Sequence, residues 1–170
     1  MIPGGVYRLR NGTRLSRGPA WLGYPKSQPD TGVFIMGDLG HDWLAQDLGG
    51  PREAAGGRQV ALVALGLGGD APMLLCAVDG RPRLAHRHSV TPDEATWILT
   101  PAGFDETEGA MSYWLESRAA RGAFLSAAIL GDTRVEPTAA LELRRDWDPF
   151  YDPQVSWTAT LVRQRADAGV

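Results

Sequence analysis

The chain repeats itself three times, and no other feature limits its fold as strongly. Trp43, Trp97 and Trp157 stand in matching contexts, His41-Asp42-Trp43-Leu44-Ala45, Ala95-Thr96-Trp97-Ile98-Leu99 and Val155-Ser156-Trp157-Thr158-Ala159, separated by 54 and 60 residues. A second marker lies upstream of each: Val6-Tyr7-Arg8-Leu9, Val60-Ala61-Leu62-Val63 and Ser112-Tyr113-Trp114-Leu115, separated by 54 and 52. Self-similarity at such a period marks a supersecondary unit that cannot bury its own apolar face and must close against its copies.

Each period reads as four short strands. Tyr7, Leu9, Thr13 and Leu15 alternate with Arg8, Arg10, Arg14 and Ser16, the period of two expected of half-buried strands. Asn11-Gly12 between them predicts a tight hairpin, because both residues tolerate positive φ. Val33–Met36 and Trp43–Leu48 follow as strands. The second period offers Val60–Leu67, Met73–Val78, Arg83–His86 and Thr96–Thr100, and the third offers Tyr113–Ser117, Ala123–Ile129, Val135–Thr138 and Ser156–Arg163. Helix is scarce. The Ala-rich stretch from Glu116 to Leu130 is interrupted by Gly122, and Glu142-Leu143-Arg144-Arg145 is expected as one helical turn within a loop. Four strands in three periods give an all-β chain and the arithmetic of a β-trefoil: twelve strands, six forming a barrel capped by three hairpins. One domain covers residues 1–170, with repeats of about 1–52, 53–106 and 107–165 and a tail at 166–170. The three repeated tryptophans belong to the core, with Leu9, Leu62, Leu84, Leu99, Leu115, Phe124, Leu125 and Leu161 among their neighbours.

Composition narrows the function by exclusion. Net charge is −3, which disfavours a nucleic-acid reader. One cysteine, Cys76, leaves no internal disulfide and no multi-cysteine metal site. No apolar run is long enough to span a bilayer. Met1-Ile2-Pro3-Gly4-Gly5 lacks a basic region followed by an apolar stretch, so a cytoplasmic location is expected. No catalytic constellation is found, so no enzyme and no cofactor are expected. His86 and His88 share a strand face but have no third ligand fixed by spacing, and no metal is assigned. Gly66-Leu67-Gly68-Gly69-Asp70 lacks the Gly-Lys-Ser/Thr of a phosphate loop and reads as a turn.

The opening Ile2-Pro3-Gly4-Gly5-Val6-Tyr7-Arg8-Leu9-Arg10, the stretch Thr96-Trp97-Ile98-Leu99-Thr100-Pro101-Ala102 with Tyr113 beyond it, and the closing Val155-Ser156-Trp157 resemble fungal β-trefoil proteins. The resemblance is to the mycocypins (the macrocypin and clitocypin type), which are protease inhibitors related in fold to ricin-B-like lectins. It implies occlusion of a papain-like cysteine protease by loops at one end of the barrel. By repeat position those loops are Arg10, Asn11, Gly12 and Thr13, and Asp38, Leu39, Gly40, His41 and Asp42, with Gly4 and Gly5 adjacent. Glycine there would let backbone enter a narrow cleft. Arg52, in Gly49-Gly50-Pro51-Arg52-Glu53, matches the connection that offers a basic residue to trypsin-like enzymes in Kunitz-type trefoils. Arg118 and Arg121 are further basic candidates. An aspartic protease is a third possible target. Legumain inhibition in that family uses an Asn in the hairpin loop of the second repeat, and here Gly66 to Pro72 holds Asp70 but no Asn.

Two other readings stand beside the inhibitor. A lectin would stack a sugar on an aromatic and bind its hydroxyls with Asp, Asn or Gln. Two long connections, Arg17 to Thr31 and Leu141 to Gln154, supply Trp21, Tyr24, Trp147, Phe150 and Tyr151. The Gln-x-Trp signature of such lectins is absent, because His41, Ala95 and Val155 stand two before the repeated tryptophans. The third reading is a protein-partner module of a toxin or defence system. A monomer binding a protease or a glycan, and neither nucleic acid nor membrane, is the expectation.

Overall fold

The computed structural model describes residues 1, 4–15, 18–24, 34–36, 40–50, 57–66, 72–128, 138–148 and 151–164. Among them are twelve strands and two single 3-10 turns, Arg87–Ser89 and Pro153–Val155. The first four strands are β1 (Gly5–Leu15), β2 (Gly18–Gly23), β3 (Phe34–Met36) and β4 (Trp43–Asp47). The next four are β5 (Arg58–Ala64), β6 (Met73–Val78), β7 (Arg81–His86) and β8 (Trp97–Asp105). The last four are β9 (Ala110–Ser117), β10 (Phe124–Ala127), β11 (Thr138–Arg144) and β12 (Ser156–Gln164). The chain is all-β, as the alternating pattern implies.

All pairing is antiparallel and all twelve strands join one sheet. The pairings β1–β4, β4–β5, β5–β8, β8–β9, β9–β12 and β12–β1 follow one another and return to the first strand. The remaining strands are not detached caps. β2 and β3 continue the ladder from β1 to β11 and β10, and β6 and β7 continue it from β5.

The core is built from equivalent positions. Leu9, Leu62 and Leu115 are spaced by 53 residues and are fully buried. Trp43, Trp97 and Trp157 are likewise inaccessible. Each indole Nε1–H donates to the carbonyl of a buried leucine: Trp43 to Leu22 (3.3 Å), Trp97 to Leu75 (2.8 Å) and Trp157 to Leu125 (2.9 Å). A buried indole needs such an acceptor, since an unmade bond would cost about 1–3 kcal/mol. Leu161 departs from the expected core. It lies near the end of β12 with 45% of its surface exposed, because the burial of β12 ends with Thr158 and Ala159. Phe124 is only half-buried.

Three local expectations are corrected. Asn11-Gly12 is not a hairpin turn, for β1 runs through it to Leu15 with a register irregularity between Asn11 and Arg14. The Asn11 side chain is buried. Its Nδ2 donates to the carbonyls of Gln154 (2.7 Å) and Ser156 (3.4 Å), and its Oδ1 accepts from the Thr13 N–H (3.0 Å). A Cβ at Gly12 would collide with the Pro153 carbonyl, so the glycine permits close packing and not a reversal. The tight turn lies instead at Asp79-Gly80, where both residues have positive φ (51° and 72°) between the paired Val78 and Arg81. Second, Glu142–Arg144 form strand and not a helical turn, because β11 pairs with β10 from Phe124↔Arg144 to Ala127↔Leu141. Third, the expected connection from Arg17 to Thr31 contains β2, so Trp21 lies on a strand.

Candidate functional site

The β8–β9 hairpin organises a polar recess. Its register runs from Trp97↔Ser117 to Asp105↔Ala110, shifting between Pro101 and Gly103. Such an irregularity bends a strand pair. At the tip, Asp105 Oδ1 accepts the N–H groups of Thr107 (3.0 Å) and Glu108 (3.2 Å). Asp105 Oδ2 and Glu108 Oε1 both take the Arg10 guanidinium, at 2.5 and 3.0 Å, with each side chain partly buried. The turn joining the second and third repeats therefore reaches across to the first strand of the chain. At these exposures the clamp contributes on the order of 1 kcal/mol, and it fixes where the tip lies.

Beneath the tip is a cleft of about 590 Å³ whose walls include Arg10, Thr13, Asp105, Ser112, Ser156 and Thr158. Ser112 Oγ and Thr158 Oγ1 share a hydrogen bond of 2.9 Å. Thr13 Oγ1 is buried and has no hydrogen-bond partner among the described residues. A notch of about 380 Å³ adjoins it, sharing Asp105, Ser112, Pro153 and Ser156 and adding Trp114 and Asp152. Trp114 is half-buried. It packs edge-on against Trp147 (centroids 5.2 Å apart), which in turn meets Phe124 (4.8 Å). Asp152 is held in place by accepting the Asp148 N–H (2.7 Å) and the Gln154 side-chain amide (3.1 Å).

The structure brings together only part of the expected set. Arg10, Asn11 and Gly12 line the cleft, although Asn11 is buried within β1. Gly4 lies elsewhere, exposed with φ +79°, its N–H donating to the Ala45 carbonyl (2.8 Å). Gly5 is buried, with the Tyr7 ring where a Cβ would be. Gly40 sits against Trp21. His41 stacks on Tyr24 (4.2 Å), and its Nδ1 accepts the Tyr24 N–H (3.1 Å). Asp38, Leu39, Arg52 and Phe150 lie outside the described residues. Arg118 is paired with Asp93 (2.9 Å) and donates to Gln59, and Arg121 pairs with Glu116 (3.3 Å).

The aromatic candidates also divide. Tyr24 is not available to a ligand: it is fully buried, and its hydroxyl donates to the Leu65 carbonyl. Burial, reinforced by the Asp42 carboxylate, pushes its phenol up to about 12. Trp147 supports Trp114, Trp21 is half-buried, and Tyr151 is 81% exposed. Trp114 was not singled out from the sequence. Its signal was the doublet Tyr113-Trp114, since neighbours on a strand face opposite sides and one must point away from the core.

Other chemistry-bearing groups are accounted for. Cys76 is buried, and its thiol is pushed up to about 12 by burial first and Glu94 second, against a smaller opposing effect of Arg83. His86 and His88 stack at 5.4 Å, and among the described residues no three His, Cys, Asp or Glu gather as a metal set. No helix among them is long and apolar enough to cross a membrane.

No family model matches the chain, and no curated protein matches it. Solved structures do. The SDF2-like protein from Arabidopsis thaliana is similar over 93% of both chains, with a TM-score of 0.57 and 12% identity. A Caenorhabditis elegans protein of unknown function is similar over 94% of this chain and 95% of its own, with a TM-score of 0.55 and 11% identity. Neither is described as an inhibitor of the mycocypin kind. At such identities the likeness extends to the fold alone.

Proposed function

We propose that the chain is a non-catalytic β-trefoil binding module that receives a saccharide in the cleft under the β8–β9 hairpin. Three four-strand units, equivalent tryptophan bonds and a circuit of pairings returning to β1 support the trefoil reading. One observation carries the ligand. The two adjoining recesses place an indole, Trp114, beside hydroxyls and carboxylates of Ser112, Thr158, Asp105 and Asp152. A sugar ring has one apolar face and a rim of hydroxyls that both donate and accept. An aromatic wall beside fixed acceptors suits both. The geometry thus favours the lectin alternative, with Trp114 as the platform and not the buried Tyr24. Asp105 and Glu108 each give an oxygen to Arg10, an arrangement suited to holding a ligand and not to moving protons.

The test is a glycan array probed with the intact protein, followed by titration of the best saccharide against wild type and Asp105→Asn. Binding that weakens about tenfold or more in the variant supports the reading, since hydrogen bonds to charged groups contribute about 1.5–3 kcal/mol. No binding to any glycan at millimolar concentration overturns it.

Protease inhibition is the second reading, and Gly4 favours it. This glycine is exposed, left-handed and open on the side where a side chain would stand, so backbone there can approach a narrow cleft. Titration against papain, trypsin and pepsin tests it. Stoichiometric inhibition of one class that is lost in Gly4→Trp supports it, and undiminished activity of all three at micromolar protein ends it for these targets.

A further inference from the structure

We propose that the apolar space on either side of Arg87 binds a medium-chain aliphatic carboxylate. A second buried cluster lies apart from the main core and includes Val6, Leu44, Val63, Leu74, Cys76 and Val78. It borders two open, mostly apolar recesses at the surface. A cavity of about 480 Å³ opens against Leu44, Val63 and Leu65, and one of about 380 Å³ against Leu48, Ala61 and Val90. Leu74 and Arg87 belong to the walls of both. These volumes fall in the range of small-molecule pockets.

Charge selects the ligand class. Arg87 is exposed on the 3-10 turn after β7, and among the described residues its guanidinium makes one contact, to Gln46 Oε1 at 3.5 Å. Of the neighbouring carboxylates, Asp93 holds Arg118 at 2.9 Å, and Asp47 Oδ1 accepts the Gly49 N–H at 3.0 Å while keeping its charge. A guanidinium has five donors in a planar fork that matches a carboxylate. Here that fork stands over two mostly apolar spaces. An alkyl chain fills either space, and the headgroup meets Arg87. Leu44, Val63, Leu74 and Ala61 suit an alkyl chain, while Gln46, Asp47, Gln59 and Thr91 line the polar parts of the walls. The site shares no lining residue with the saccharide cleft.

Calorimetric titration of the intact protein with decanoate tests the assignment, with decanol as the uncharged analogue and Arg87→Gln as the variant. The expected result is one equivalent of decanoate bound, about tenfold weaker in the variant, with decanol bound weakly. Methyl resonances of Leu44, Val63, Leu74 and Val90 should move while those of Leu9 and Leu62 stay. Arg87 is exposed, so an unchanged melting curve for the variant accompanies this result. Absence of binding at millimolar decanoate overturns the proposal. So does decanol binding as tightly as decanoate, or methyl shifts confined to other parts of the molecule.

Discussion

The interior of this molecule and its outer seams obey different rules. Inside, three repeats present the same leucine, the same tryptophan and the same indole-to-carbonyl bond. Outside, the arginine bridges differ. Arg8 pairs with Asp42 (2.9 Å), Arg118 with Asp93, and Arg10 with both Asp105 and Glu108. The circuit of pairings requires three compatible units, so it holds the inner positions alike. No such constraint acts on the seams, and there one repeat can acquire a cleft the others lack. The β8–β9 arm carries two carboxylates across to Arg10 of β1 and leaves an indole beside the gap.

This contrast is broken most severely from within. Trp97→Ala should remove about 3–5 kcal/mol, read by denaturant unfolding. A loss below about 1 kcal/mol would mean that the three tryptophans do not share one structural task. Gly12→Val comes next, since any Cβ there meets the Pro153 carbonyl. Overpacking of this kind costs about 1–3 kcal/mol, and an unaffected melting temperature would show that β1 does not press on Pro153 as described.

A smaller effect concerns Tyr24. Its phenol is near 12 in the folded protein and has an ordinary value of 10 when unfolded. Below pH 10 both states keep the proton and this group adds no pH dependence. Between pH 10 and 12 the unfolded chain releases a proton that the folded chain retains, so stability falls as pH rises. Tyr24→Phe should lose less stability across that window than wild type in parallel unfolding curves, and identical slopes would contradict the burial of the hydroxyl. The smallest change in stability is expected at the seam. Arg10→Ala should cost no more than about 1 kcal/mol while weakening saccharide binding, and a large destabilisation would make the clamp a structural element instead.

What the sequence disclosed follows the same division. The repeated tryptophans and flanking strands were legible because large aromatics at a regular spacing have few roles other than a shared core. Asn11-Gly12 misled because local turn preference was overridden by contacts 143 and 145 residues away, while Asp79-Gly80 met the same preference without competition. Glu142–Arg144 joined a strand because β10 supplied a partner that helix propensity ignores. The cleft was least legible. Arg10 and Asp105 are 95 residues apart, and only their meeting in space gives either one significance. Trp114 stood unmarked beside Tyr113 until the register showed which of the two faces outward.

A structural interior and the proposed binding role of the β8–β9 seam are separated most directly by the indoles. Indole N–H resonances of a nitrogen-15-labelled protein report both at once during titration with the saccharide selected on the array. The Trp114 resonance should move with saturable amplitude while those of Trp43, Trp97 and Trp157 stay fixed. Movement of the three buried indoles, or of Trp21 alone with Trp114 unchanged, would contradict that assignment of roles.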